Sequence, residues 1–199
     1  MTLDELGQRY RDELCCIVQQ GMLQATEMLF RLLRQPVNVQ VADVWMSDQG
    51  LPAQQADAIN LGIYMGVSGD INGGLLLALE EECAGWLSRQ LLGVTELENL
   101  LVEPACSTLK EVGNILTSAF LASLDDQLGL RALPAPPTLS RAALKDQLGA
   151  CQPDHGDACL VVQYRLQGSG EAADLQGAIY LFPDNVTLNS LLERIGRPK

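Results

Sequence analysis

The two halves of this chain repeat one another, and two copies of one unit can pack in few ways. Displacing the first half by 95 residues lays Asp12 on Ser107, Leu29 on Leu124, Leu33 on Leu128 and Val44 on Leu139. A displacement of 103 lays Gly74 on Gly177, Leu79 on Phe182 and Gly93 on Gly196. The difference of eight residues is expected as an insertion around Leu148 to Asp157, where turn formers cluster. One domain over 1–199 is expected, with pseudo-repeats of about 1–96 and 97–199 related by a pseudo-twofold axis.

Each copy reads as long helix, strand, short helix, two strands and closing helix. In the first copy a helix from about Asp4 to Arg34 stops before Pro36. Alternation from Val37 to Val44 follows, then a hairpin of Leu61–Val67 and Gly73–Leu79, and a helix over Cys83–Leu92 that opens on acidic residues. The second copy gives a helix near Leu100–Leu128, strands near Leu130–Leu139, Cys159–Leu166 and Leu175–Phe182, and a helix over Thr187–Ile195. Pro134, Pro136 and Pro137 place its first strand at an edge or make it irregular. The fold class is α+β, with six strands in a mainly antiparallel sheet.

On the second long helix the spacing Ser-x3-Glu-x2-Asn puts Ser107, Glu111, Asn114 and Ser118 on one stripe, opposite Leu109, Val112, Leu116 and Phe120. A solvated polar face explains such a stripe by itself. Two residues argue for more. Asn114 is a poor helix former, and Gly113 costs about 1 kcal/mol relative to Ala, so this turn gives up helix stability. The missing side chain at Gly113 would let another backbone approach. A carboxylate and a carboxamide on a rigid helix can hold a cation and orient a water.

The formal charge of −12, without Lys/Arg clusters, argues against nucleic-acid and anionic membrane surfaces. No apolar run of about 18 residues is present and no secretory signal opens the chain, so a cytoplasmic location is expected. Six cysteines without a repeated Cys-x2-Cys pattern read as reduced thiols. Cys151-x3-His155-x3-Cys159 lacks a fourth ligand and close Cys spacing, so no metal is expected there. The glycines of Gly66–Gly74 lack a phosphate-loop ending and read as turn geometry, and a single His makes a Ser-His-Asp triad improbable.

Two pseudo-repeats led by such helices resemble the CheC/CheX/FliY family of chemotaxis phosphatases. The resemblance covers nearly the whole chain and rests on Ser107-x3-Glu111-x2-Asn114 with its continuation to Leu121, on Pro134 to Pro137, and on Gly66 to Gly74. It implies hydrolysis of the aspartyl phosphate of a CheY-type response regulator. Glu111 would pair with a Lys of the partner, and Asn114 would orient the attacking water at the phosphoryl group. Ser107 and Ser118 would touch the partner, which itself supplies Mg²⁺; this chain would bind no cofactor. Positioning and charge neutralisation are then most of what the chain contributes.

The first repeat departs from this pattern. At the 95-residue displacement Asp12 keeps the leading position, but Cys16 replaces the Glu and Gln19 the Asn, a degenerate second site. One active site is therefore expected. The rival reading is a CheC-like adaptor that holds a response regulator or flagellar switch component without turnover. A receptor-deamidase partner of the CheD kind is compatible with either.

Overall fold

The computed structural model describes residues 3–47, 59–95, 99–151, 158–168 and 175–195. Helix α1 (Leu3–Leu33) ends as Arg34 turns to φ 55° and donates its N–H to the Phe30 carbonyl at 2.8 Å; Pro36 blocks any continuation. There follow β1 (Val37–Ser47), β2 (Ile59–Gly69), β3 (Gly73–Glu80), α2 (Glu81–Leu92) and α3 (Ala105–Leu128). The second half continues with β4 (Ala132–Pro134), β5 (Thr138–Ala143), α4 (Leu144–Cys151), β6 (Cys159–Gly168), β7 (Leu175–Pro183) and α5 (Asn185–Ile195).

This is the α+β order expected, with three corrections. Helix α3 starts at Ala105 and not near Leu100, because Pro104 occupies its N-cap and proline is accommodated only where an amide N–H is not needed. The expected strand near Leu130–Leu139 is broken into β4 and β5 around Ala135–Pro137, giving seven strands among the described residues and not six. The expected insertion point is partly helix, since Leu148 to Cys151 belong to α4. The short helix expected after β1 lies outside the described residues.

All strand pairs are antiparallel, in the order β1-β6-β7-β3-β2, with both β4 and β5 on the outer side of β2. Strands β3 and β7 meet at the centre, and their ladder carries the duplication. Adding 103 to Leu76 gives Ile179, and removing 103 from its partner Tyr180 gives Leu77; Leu77↔Ile179 is itself a pair of that ladder.

The outer strands obey the same symmetry at other displacements. A shift of 98 relates β2 to β6, so that Tyr64↔Leu76 becomes Val162↔Ile179. A shift of 94 relates β1 to β4 and β5, so that Val44↔Val162 becomes Thr138↔Tyr64. Val44 therefore corresponds to Thr138 and not to Leu139. The extra residues of the second copy fall in two places, between β5 and β6 and between β6 and β7. Even the irregularity is duplicated: the register shift of β1 between Val41 and Asp43 corresponds to the Ala135–Pro137 break.

The main core lies between one face of the sheet and the long helices. Leu75, Leu77 and Leu79 of β3 face it together with Leu109, Val112, Leu116 and Phe120 of α3, whereas Leu76 and Ala78 face a second cluster with Leu144, Leu148 and Tyr180. Period-two alternation thus sends β3 into two cores. The eight buried positions of α1 from Leu14 to Leu33 all fall on buried positions of α3 at the 95-residue displacement, Leu14 on Leu109 and Leu29 on Leu124 among them.

Candidate functional site on helix α3

Helix α3 is buried on most of its circumference, and over its first four turns Ser107, Glu111 and Ser118 are its exposed positions. Asn114 is half-buried between them. The four residues proposed from the sequence therefore share the one strip of α3 that meets solvent. Residues three apart on a helix have Cβ atoms about 5–6 Å from each other, so the Glu111 carboxylate and Asn114 carboxamide can address one small group.

The strip is held in place from beneath. Leu109, Val112, Leu116 and Phe120 are fully buried, and burying each such side chain is worth about 1.5–3 kcal/mol. At Gly113 a Cβ would come 2.9 Å from Cγ2 of Ile63, itself fully buried on β2. The glycine thus lets α3 settle onto a side chain of the sheet, where the sequence suggested a second backbone. A propensity cost of about 1 kcal/mol is smaller than the packing it permits.

At the head of the strip the turn is fixed by hydrogen bonds. Ser107 Oγ donates to the Pro104 carbonyl at 2.9 Å, and the Ser107 N–H donates to Glu103 Oε2 at 3.2 Å. Glu103 therefore adds a carboxylate one turn before Ser107, and Asp125, half-buried, continues the strip five turns beyond it. Neither was picked from the sequence, although Glu-x3-Ser spacing and an 18-residue interval are the signals that would have found them. Neither Glu111 nor Asn114 has a side-chain hydrogen bond or ion pair among the described residues, so both are available to a partner.

The matching strip of α1 differs. Asp12 and Cys16 are exposed and Gln19 is half-buried, in the positions of Ser107, Glu111 and Asn114. The Gln19 Oε1 accepts the Val41 N–H at 2.9 Å, beside the β1 irregularity. One of the two lone pairs of that carbonyl is thereby engaged by the backbone of β1, a contact that the sequence did not reveal. Nearby, Arg11 donates to Asp43 Oδ1 at 2.8 Å and also to Oδ2, tying α1 to β1. The hydrogen bonds from Arg11 hold the Asp43 carboxyl below its ordinary pKa.

A hollow of about 120 Å³ lies on the other face of the sheet, floored by Ala78, Ala178 and Tyr180, and no α3 residue lines it. Of the Cys151–His155–Cys159 trio, His155 lies outside the described residues. Cys151 and Cys159 sit in the second apolar cluster, where burial raises their thiols to about 11 and about 12. No helix among the described residues is long and apolar enough to cross a membrane.

Comparison with known proteins bears out the resemblance read from the sequence. The CheC-like family matches residues 105–141, which span α3, β4 and most of β5. Over 181 residues the chain is 24% identical to CheC1 of Halobacterium salinarum, named as a candidate CheY-P phosphatase, covering 90% of this chain and 92% of that one. The fold is that of Thermotoga maritima FliY, with a TM-score of 0.75, 16% identity, and 94% and 96% of the two chains covered. It is also similar to FliM from H. pylori, solved in a complex with SpeE, with a TM-score of 0.71, 11% identity and 95% of each chain covered.

Proposed function

We propose that this CheC-like chain, whose family match begins at the first residue of α3, hydrolyses the aspartyl phosphate of a CheY-type response regulator. The observation that carries the reading is the strip itself: Glu111 and Asn114 are adjacent, without side-chain partners among the described residues, on the solvent-facing side of a helix otherwise buried in the core. In this reading the strip docks over the regulator's phosphorylated aspartate, with Ser107 and Ser118 flanking the contact. Glu111 pairs with a lysine of the regulator, and that single ion pair fixes the register of the helix. Asn114 then stands over the phosphoryl group.

The carboxamide of Asn114 accepts a hydrogen bond from a water through Oδ1 and can donate through Nδ2, so it holds the water in line with the scissile bond. The water oxygen forms a bond to phosphorus as the P–O bond to the aspartyl carboxylate breaks. The regulator's carboxylate leaves with the electron pair, and the water's proton ends on the phosphate released. No strong base is needed, because an acyl phosphate is a mixed anhydride with a carboxylate leaving group and the transition state is loose. The Mg²⁺ that spreads the charge belongs to the regulator. Positioning is what α3 contributes.

A second reading has a specific observation behind it. The α1 strip carries Cys16 and Gln19 in place of the Glu and the Asn, and FliM from H. pylori, similar in fold, was solved in a complex with another protein. In that reading the chain holds a regulator or a flagellar or CheD-type partner without turnover. The test is the lifetime of the aspartyl phosphate on a CheY-type regulator with Mg²⁺, in the presence and absence of this protein. A shortened lifetime is expected; tight binding with an unchanged lifetime would establish the adaptor instead.

A further inference from the structure

On α1 the counterpart of the α3 strip lacks the Glu and the Asn and carries two exposed apolar side chains, Leu23 and Phe30. Asp12, Cys16, Gln19, Leu23 and Phe30 stand where α3 carries Ser107, Glu111, Asn114, Ser118 and Asp125. Leu23 is 55% and Phe30 50% exposed, in positions where water would be met as well by Ser and Asp. Exposed large apolar groups aligned along one face mark a surface built to be covered.

What covers it is indicated by the charges along the same helix. Asp12 and Glu13 lie toward the N-terminal end of the strip, and Arg31 and Arg34 lie at its C-terminal end. Arg11, beside the acidic pair, is held by Asp43 on the chain's own β1. A strip with Asp12 toward one end, Arg34 at the other, and Leu23 and Phe30 between them alongside Gln19 and Glu27 can be complementary to itself when two copies run antiparallel.

We propose that α1 is the seam of a homodimer, pairing antiparallel with α1 of a second copy about a twofold axis at Leu23. The register follows from the residue numbers. With Leu23 facing the partner's Leu23, Cys16 falls opposite the partner's Phe30, Gln19 opposite the partner's Glu27, and Asp12 opposite the partner's Arg34. Every step along the seam then pairs soft with apolar, amide with carboxylate, or acid with base. Gln19 can serve here because its Oε1 is engaged with Val41 while its amide N–H₂ remains to donate. The alternation of three- and four-residue steps from Asp12 through Leu23 is that of helices packed at a shallow crossing angle. The contact is isologous, so it closes at two copies and builds no filament.

One helix pair buries less than the roughly 800 Å² per partner of a standard stable interface, so the dimer is expected to dissociate on dilution. The α3 strip lies on a different helix, which lets each copy of the dimer dock a regulator.

The test is sedimentation equilibrium over a broad concentration range. The unmodified chain should pass from monomer to dimer, and Leu23→Asp with Phe30→Glu should raise the dissociation constant at least tenfold with an unchanged circular dichroism spectrum. Arg34→Glu alone should weaken the dimer, and adding Asp12→Arg should restore it, an outcome that general loss of folding would not give. Leu23→Cys should form an intermolecular disulfide in oxidised glutathione because it meets its own copy, while Cys16 should not link to Cys16. A chain monomeric at every concentration, a dimer indifferent to the Leu23 and Phe30 changes, or a Cys16–Cys16 link would each overturn the proposal.

Discussion

On the proposed function Asn114 would orient the water and Glu111 would anchor the regulator, and substitution should separate the two duties. Asn114→Ala removes the group that orients water but neither the ion pair nor any buried contact, so turnover should fall by a factor of about 100 or more while regulator binding and melting temperature stay nearly constant. Glu111→Ala should weaken binding as well, seen as a raised KM together with lower kcat/KM. Thiol reactivity gives an independent check on side-chain placement. Cys16 is exposed, whereas burial pushes Cys83 and Cys159 up to about 12, so alkylation of the folded chain should modify Cys16 long before either of them. The strip of α3 was legible because helical spacing alone assembles it. The capture of Gln19 by Val41 was not, since it depends on where β1 lies beside α1, a contact across 22 residues of sequence.

Among the elements, the two long helices owe their mutual position to one residue. A Cβ on Gly21 would stand 2.5 Å from the Ala119 carbonyl oxygen and 2.9 Å from Cβ of Ser123, so α1 meets α3 there with no room for a side chain. Gly21→Ala gains about 1 kcal/mol of helix propensity yet forces two backbones apart, and overpacking costs about 1–3 kcal/mol. Denaturant unfolding should therefore show a net loss of up to about 2 kcal/mol.

The link between α1 and β1 has its own signature. Arg11 keeps the Asp43 carboxyl below its ordinary value, so the pair's contribution is complete above the usual carboxylate pKa and is lost as pH falls through Asp43's lowered one. Comparing melting temperatures of the unmodified chain and Asp43→Asn should give a small gap at neutral pH that closes on acidification. Element types were readable from period and proline placement. The broken β4–β5 edge was anticipated from Pro134, Pro136 and Pro137, while its exact counterpart in the β1 irregularity appeared only in the ladder registers.

At the scale of the whole molecule, a duplicated unit has kept its symmetry in the sheet and the buried helix faces and given it up on the solvent face of one helix. Core positions such as Leu29 and Leu124 agree across the copies because both must fill the same space. Exposed positions such as Cys16 and Glu111 are free of that demand, and there the two halves diverge. Shift arithmetic on the sequence located the duplication but placed its extra residues in one insertion; loops tolerate added length at little cost, so only strand pairing could apportion them. On the proposed function the chemistry resides on α3 and not on α1, and single-turnover decay of a regulator's aspartyl phosphate with the unmodified chain, Asn114→Ala and Gln19→Ala distinguishes the two helices. Asn114→Ala should return the decay to the regulator's own rate while Gln19→Ala leaves the acceleration intact; acceleration that survives Asn114→Ala or disappears with Gln19→Ala would contradict it.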